Sequence, residues 1–251
     1  RIEALVDGMV YVQNRIYNTP ATVEIYGGQP VPTYVKGVTS RADFDVQVET
    51  WNTAPFFVLV GEYVLFDVQM VLATSLPGLD LDRRIEMMDS VVATTNALYG
   101  LSKYANDAAH KSAHRIHIIN PDVGPGYASA TDYHITFQNA TAAGRHLLAG
   151  PENDQWGFYH EVGHTYQMKE FNYRGAIEVT VNIPALAVQE AQGYPNRIDS
   201  VSVRNAVAQF RETPIAERNF LGLTSGWVQL LMFDQLRRGF GADFYARLSQ
   251  Q

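Results

Sequence analysis

Gln155-Trp156-Gly157-Phe158-Tyr159-His160-Glu161-Val162-Gly163-His164-Thr165-Tyr166-Gln167-Met168 is the stretch on which the reading of this chain turns. Phe158 and Val162 stand four residues apart, as an amphipathic helix requires, and His160 and His164 repeat that spacing on a different face. Residues i and i+4 of a helix lie about 5–6 Å apart on one side, so two imidazoles so spaced can reach one metal ion. Glu161 is turned about a third of a revolution from His160, too far round to be an equivalent ligand but placed to touch a water bound there. Gly163 costs a helix about 1 kcal/mol relative to Ala, a cost expected where something must approach the backbone closely. Chance alone produces such a string in roughly one chain of this composition in a hundred, so its surroundings decide its meaning.

Composition narrows the chemistry. The 251 residues are 46% hydrophobic and 18% charged, a globular balance with enough chain for a sizeable core. There is no cysteine, which removes disulfides, thiolate nucleophiles and sulfur-ligated metals together. A metal must then be held by His, Asp, Glu or water. The net charge of −7 works against a phosphate-binding surface, so nucleic acid is not an expected partner. No membrane span is expected, because the most apolar run, Ala54 to Leu72, is broken by Glu62 and Asp67.

A catalytic zinc takes three protein ligands and leaves one position for water. Glu178, opening Glu178-Val179-Thr180-Val181-Asn182 in a segment of helical pattern, is the third ligand favoured by position. Glu170 is too close to fold back, and Glu190 lies beyond Pro184, which should kink or restart the helix. Asn182, four residues after Glu178, shares its face and offers an amide to hold a ligating imidazole. The chemistry implied is zinc-assisted hydrolysis, with Glu161 as general base.

The flanking regions predict an α+β layout. Residues 1–78 read as a β-rich part packed on a catalytic part at 79–251. Thr22 to Tyr26 alternates like a strand, and Phe56–Val60 and Tyr63–Val68 predict a hairpin about Gly61-Glu62. A helix capped by Asp80 or Asp82 carries the stripe Leu81, Ile85, Met88, Val92, Thr95 and Tyr99. Short strands at Arg115–Ile119 and Tyr133–Phe137 follow, then helical patterns over Trp156–Met168, Ala176–Ala191, Val201–Glu212 and Leu223–Arg238, with a last one from Ala242.

The run Trp156-Gly157-x-x-His160-Glu161-x-Gly163-His164-x-x-Gln167, followed by Glu178-Val179-Thr180-x-Asn182-Ile183, resembles the enhancin-like metallopeptidases, family sixty of the metallopeptidases. Trp51–Val68, the segment from Arg115 to Tyr133, and Leu231 to Gly241 are similar to other parts of that family. The resemblance implies a zincin-like (gluzincin) catalytic domain with Zn²⁺ on His160, His164 and Glu178, and Glu161 as base. Asn182 and Gln167 would then support the ligands. It also implies a mucin-like or O-glycosylated protein as substrate and a secreted or cell-surface location. Where the family has a His-Ser-Gly-Tyr-like cleft stretch, this chain has Ala128-Ser129-Ala130-Thr131-Asp132-Tyr133, a departure in the substrate contacts. The chain opens on Arg1 without Met and stops soon after its late helix, so a fragment cut from a longer protein is expected.

Tyr127, Tyr133, Tyr166, Tyr173 and His134 are candidate donors to an oxyanion, although most of the 14 tyrosines should be packing residues. His110, His114 and His117 form a second histidine group without an intervening acid, better read as surface or cleft edge. The competing function is a glycan- or glycoprotein-binding module that keeps a structural zinc helix; such a module has no need of Glu161.

Overall fold

The computed structural model describes residues 8–12, 19–105, 107, 109–111, 114–132, 134–148, 154–172, 175–222 and 225–250. Residues 1–30 and 31–251 are two separate units. The described part of the first is almost wholly exposed and carries no strand, including the alternating stretch Thr22 to Tyr26. There the Tyr26 hydroxyl donates to Glu24 at 2.7 Å.

The second unit is built on a six-stranded mixed sheet in the order β1-β2-β3-β4-β6-β5. Its strands are β1 (Thr33–Val35), β2 (Phe56–Val60), β3 (Val64–Gln69), β4 (Ile116–Ile119), β5 (Ala128–Ala130) and β6 (His134–Phe137). The hairpin expected about Gly61-Glu62 is present, with Val60 opposite Leu65 in the antiparallel pair β2–β3. β1–β2, β3–β4 and β4–β6 are parallel, and β5 runs antiparallel to β6 at the sheet edge. Alternate side chains share one side of a sheet. On one such side Phe57, Leu59, Phe66, Val68, Ile118, Ile135 and Phe137 are all buried.

Helix α1 (Arg41–Thr50) is an element that the reading of residues 1–78 as a β-rich part did not include. Ser40 starts it by accepting the Asp43 N–H at 3.1 Å. Its fully buried residue is Phe44, packed edge-on to Tyr34 of β1 and Phe57 of β2. So thin an apolar stripe gives little periodicity to read. Helix α2 (Leu81–Leu98) is the opposite case: Leu81, Ile85, Met88, Val92, Thr95 and Tyr99 are all buried, and Asp80 caps it by accepting from Arg83 N at 3.0 Å.

Six of the remaining seven helices follow β6 as α3 (Ala143–His146), α4 (Trp156–His164), α5 (Ile177–Thr180), α6 (Asn182–Ala191), α7 (Val201–Glu212) and α8 (Gly226–Phe240), with α9 (Phe244–Ser249) last among the described residues. The pattern read as one helix over Ala176–Ala191 is two, divided at Val181. Pro184 sits in the first turn of α6, where its missing N–H leaves no intrahelical bond unmade. The architecture is mixed α+β.

α2 also holds the hairpin in place. The Asp89 carboxylate, 8% exposed, accepts the backbone N–H groups of Glu62 at 2.9 Å and Tyr63 at 2.7 Å. Asp89→Ala leaves two half-buried donors without their acceptor. The expected loss is about 2 kcal/mol, seen as a lower urea midpoint with an unchanged slope.

Candidate metal centre

α4 is oriented by its apolar face. Phe158 and Val162 are buried, and the Phe158 ring meets Phe137 of β6 with centroids 6.2 Å apart. That leaves His160 and His164 on a half-buried side, with ring centroids 4.9 Å apart. One turn before His160, Trp156 packs against Trp227 of α8 at 5.4 Å, and the Arg197 guanidinium lies 4.7 Å from the Trp156 ring. At the other end Lys111 donates to the Thr165 carbonyl at 3.1 Å and stands 4.0 Å over the Tyr166 ring. A cation there complements the negative end of the α4 dipole. Burial lowers the Lys111 pKa, with Asp132 opposing.

The turn bearing Glu178 reaches the histidines because α4 has a glycine at 163. A Cβ built on Gly163 would lie 2.0 Å from the Val181 carbonyl oxygen and 2.9 Å from its carbon. α4 and the α5–α6 junction therefore touch backbone to backbone. Glu178 Oε2 comes to 3.0 Å from His160 Nε2 and 3.6 Å from His164 Nε2. Among the described residues this is the one group of three His, Asp or Glu side chains with all ligand atoms within 4.8 Å of one another.

The far side of each imidazole is also committed. Asn182 Nδ2 donates to the Glu178 carbonyl at 2.8 Å, which turns its Oδ1 toward His160 Nδ1, 2.8 Å away. Gln167 Nε2 donates to the Ile177 carbonyl at 2.7 Å and to Thr180 Oγ1 at 3.0 Å, which turns its Oε1 toward His164 Nδ1 at 3.1 Å. An amide oxygen only accepts, so both rings carry their proton on Nδ1 when neutral and present the Nε2 lone pair to Glu178. Two nitrogen lone pairs facing one carboxylate oxygen repel unless a cation stands between them. The donor set fits Zn²⁺, which binds imidazole nitrogen and carboxylate oxygen.

Glu161 supplies a second test of that fit. It is 8% exposed, and its Oε2 is buried with no hydrogen-bond partner among the described residues. Burial pushes its carboxyl up to about 7, with His160 pulling down and Glu178 pushing up. A buried carboxyl oxygen without a partner beside an imidazole pair is a group placed to exchange protons with a bound molecule.

The other candidates scatter. Tyr166 is buried: it is 7% exposed, its hydroxyl donates to Asn96 at 2.7 Å, and its ring stacks on Tyr99. Tyr127 is exposed just ahead of β5, its hydroxyl paired with His146 Nδ1. His134 opens β6, with Nδ1 at 2.7 Å from Thr131 Oγ1. Tyr133 and Tyr173 lie outside the described residues. His110 pairs with the Ala105 carbonyl and His117 with Asp67 Oδ2, so the second histidine group does not converge. Thr180, Lys111 and the Val181 carbonyl belong to the surroundings of the site without any local sequence signal, since each acts across elements distant along the chain.

A mixed α+β domain presenting a His–His–Glu donor group beside a buried glutamate has the arrangement that metal-dependent hydrolases use. A family model described as peptidase M60, enhancin and enhancin-like, matches residues 27–251, and the chain belongs to that family. Among curated proteins none matches. Several solved structures share the fold. A functionally unknown conserved protein from Bacillus anthracis str. Ames is 28% identical with a TM-score of 0.77, the match covering 90% of this chain and 46% of that one. The ZmpB metallopeptidase from Clostridium perfringens is 17% identical with a TM-score of 0.69, over 87% of this chain and 45% of that one. The M60 catalytic domain from Clostridium perfringens ZmpC, solved in complex with the sialyl T antigen, is 18% identical with a TM-score of 0.64, over 89% and 46%. The chain thus spans less than half the length of these solved relatives.

Two glycines of α4 give opposite expectations. Gly157→Ala meets nothing within 4 Å and should stabilise the protein by up to about 1 kcal/mol. Gly163→Ala drives a methyl into the Val181 carbonyl and should lower stability by about 1–3 kcal/mol while weakening Zn²⁺ binding. Chemical unfolding and a metal titration of both variants check this.

Proposed function

We propose that this chain is the catalytic part of a zinc-dependent endopeptidase of the gluzincin type, acting outside the cell on mucin-like or O-glycosylated proteins. The observation that carries the reading is the convergence of His160 Nε2, His164 Nε2 and Glu178 Oε2 beside Glu161 Oε2, a buried oxygen without a hydrogen-bond partner among the described residues. The three donors would hold the ion. Bound there, zinc supplies Lewis acidity toward a carbonyl oxygen and lowers the pKa of a water to about 7.

The chain's own residues do the rest. Glu161 takes a proton on its free carboxylate oxygen as the water oxygen bonds to the scissile carbonyl carbon. It then hands that proton to the departing nitrogen as the C–N bond breaks. Its buried setting keeps bulk water from competing for the carboxylate. Asn182 and Gln167 keep the imidazoles in the tautomer that leaves Nε2 free to ligate. Glu178 itself is 72% exposed at its side chain, so the donor group is open to a large substrate.

Support for the substrate class comes from family membership and from the sugar antigen bound by the M60 domain of ZmpC. Glu161→Gln should keep zinc but lose about 10²–10⁴ in rate, because amide replaces carboxylate at the proton-transfer position. An undiminished rate would remove Glu161 from the mechanism. Incubation with an O-glycosylated mucin should give cleavage that a chelator abolishes and that falls when the same protein is stripped of sugar. Equal cleavage of both forms would leave a zinc peptidase without a glycan requirement.

A further inference from the structure

Two carboxamides hold the entire donor group, and they do so through the peptide units of Glu178. Asn182 donates to the Glu178 carbonyl, and Gln167 donates to the Ile177 carbonyl and to Thr180 Oγ1. Those two carbonyls belong to the peptide groups immediately before and after the Glu178 Cα. Fixing both fixes the direction of its Cα–Cβ bond, and with it where the carboxylate can reach. The oxygen end of each amide meanwhile accepts from one histidine: Asn182 from His160 and Gln167 from His164.

We propose that Gln167 and Asn182 are paired positioning residues that act as a clamp, each locking one imidazole tautomer and one peptide group beside Glu178, so that the three donors stand assembled before the metal arrives. The inference rests on the reading of His160, His164 and Glu178 as a metal site. It explains why both positions hold amides. A carboxylate is a common partner of a ligating histidine and the stronger acceptor for Nδ1–H. At these two positions, however, the same group must also donate to a backbone carbonyl, and a carboxylate oxygen would face that carbonyl with a lone pair. Glu178, largely exposed, has its other described contacts with the two histidines. Its aim is therefore set from the backbone side.

The test uses Zn²⁺ alone. Wild type, Asn182→Asp, Gln167→Glu, Asn182→Ala and Gln167→Ala are titrated against a chromophoric chelator, with unfolding of the metal-free proteins as a control for the fold. The clamp predicts that Asn182→Asp and Gln167→Glu bind Zn²⁺ about 10–100-fold more weakly than wild type, although each offers its histidine a stronger acceptor. If the amides only orient the rings, the two carboxylate variants bind as tightly as wild type or tighter while the alanine variants weaken. That result overturns the clamp and leaves the metal site standing. A folded wild-type chain that binds no Zn²⁺ overturns the metal site, and the clamp with it. Nitrogen-15 shifts of the wild-type imidazoles, recorded metal-free at alkaline pH, test the same idea without a variant. Both rings should be Nδ1–H tautomers, and an Nε2–H tautomer in either ring contradicts the clamp.

Discussion

Residue 163 has no side chain, and the Val181 carbonyl oxygen occupies the place where one would begin, 2.0 Å from an ideal Cβ. No other residue type allows two backbones this close, and the rest of the site follows from their approach. With α4 pressed on the α5–α6 junction, Glu178 falls beside His160 and His164, and Asn182 and Gln167 fall within reach of the imidazoles. A slightly wider separation would leave two histidines on one helix and a glutamate on another with nothing in common. The helical penalty of a glycine at 163 is thus offset by a contact that brings the three donors together.

The charges at the site suit the proposed chemistry, a cation that is shared and a proton that is mobile. Glu178 and the two Nε2 atoms face one another as acceptors, an arrangement that a metal ion relieves. Glu161 lies on the buried side, its carboxyl raised by desolvation and its Oε2 without a partner among the described residues. One carboxylate is open and committed to the donor group, while the other is enclosed and uncommitted. In the proposed mechanism one residue type serves two roles because burial differs, with Glu161 at 8% exposed and the Glu178 side chain at 72%.

Much of this was legible in the sequence where local patterns were strong. The α2 stripe could be read because it buries a regular face, and the β2–β3 hairpin because two apolar runs flank Gly61-Glu62. α1 left little pattern because its burial rests on Phe44, although Ser40 and Asp43 carried a capping signal three residues apart. The division of Ala176–Ala191 at Val181 had its clue in Pro184, which the first turn of α6 accommodates. Tyr166 carries a signal of burial in its spacing. It continues the series Phe158, Val162 at a spacing of four, which places it on the buried face. The bridges from Gln167 and Asn182 to the peptide groups around Glu178 are another matter. They join side chains to backbone carbonyls, and a carbonyl leaves no trace in residue identity.

In the proposed site one metal ion sits between His160, His164 and Glu178. The most direct measurement is anomalous X-ray scattering at the zinc edge from crystals of the chain grown with Zn²⁺. One strong peak is expected about 2.0–2.2 Å from His160 Nε2, His164 Nε2 and a Glu178 carboxylate oxygen, with both Nδ1 atoms still on their amides. No peak at that point, or zinc bound through either Nδ1, would contradict it.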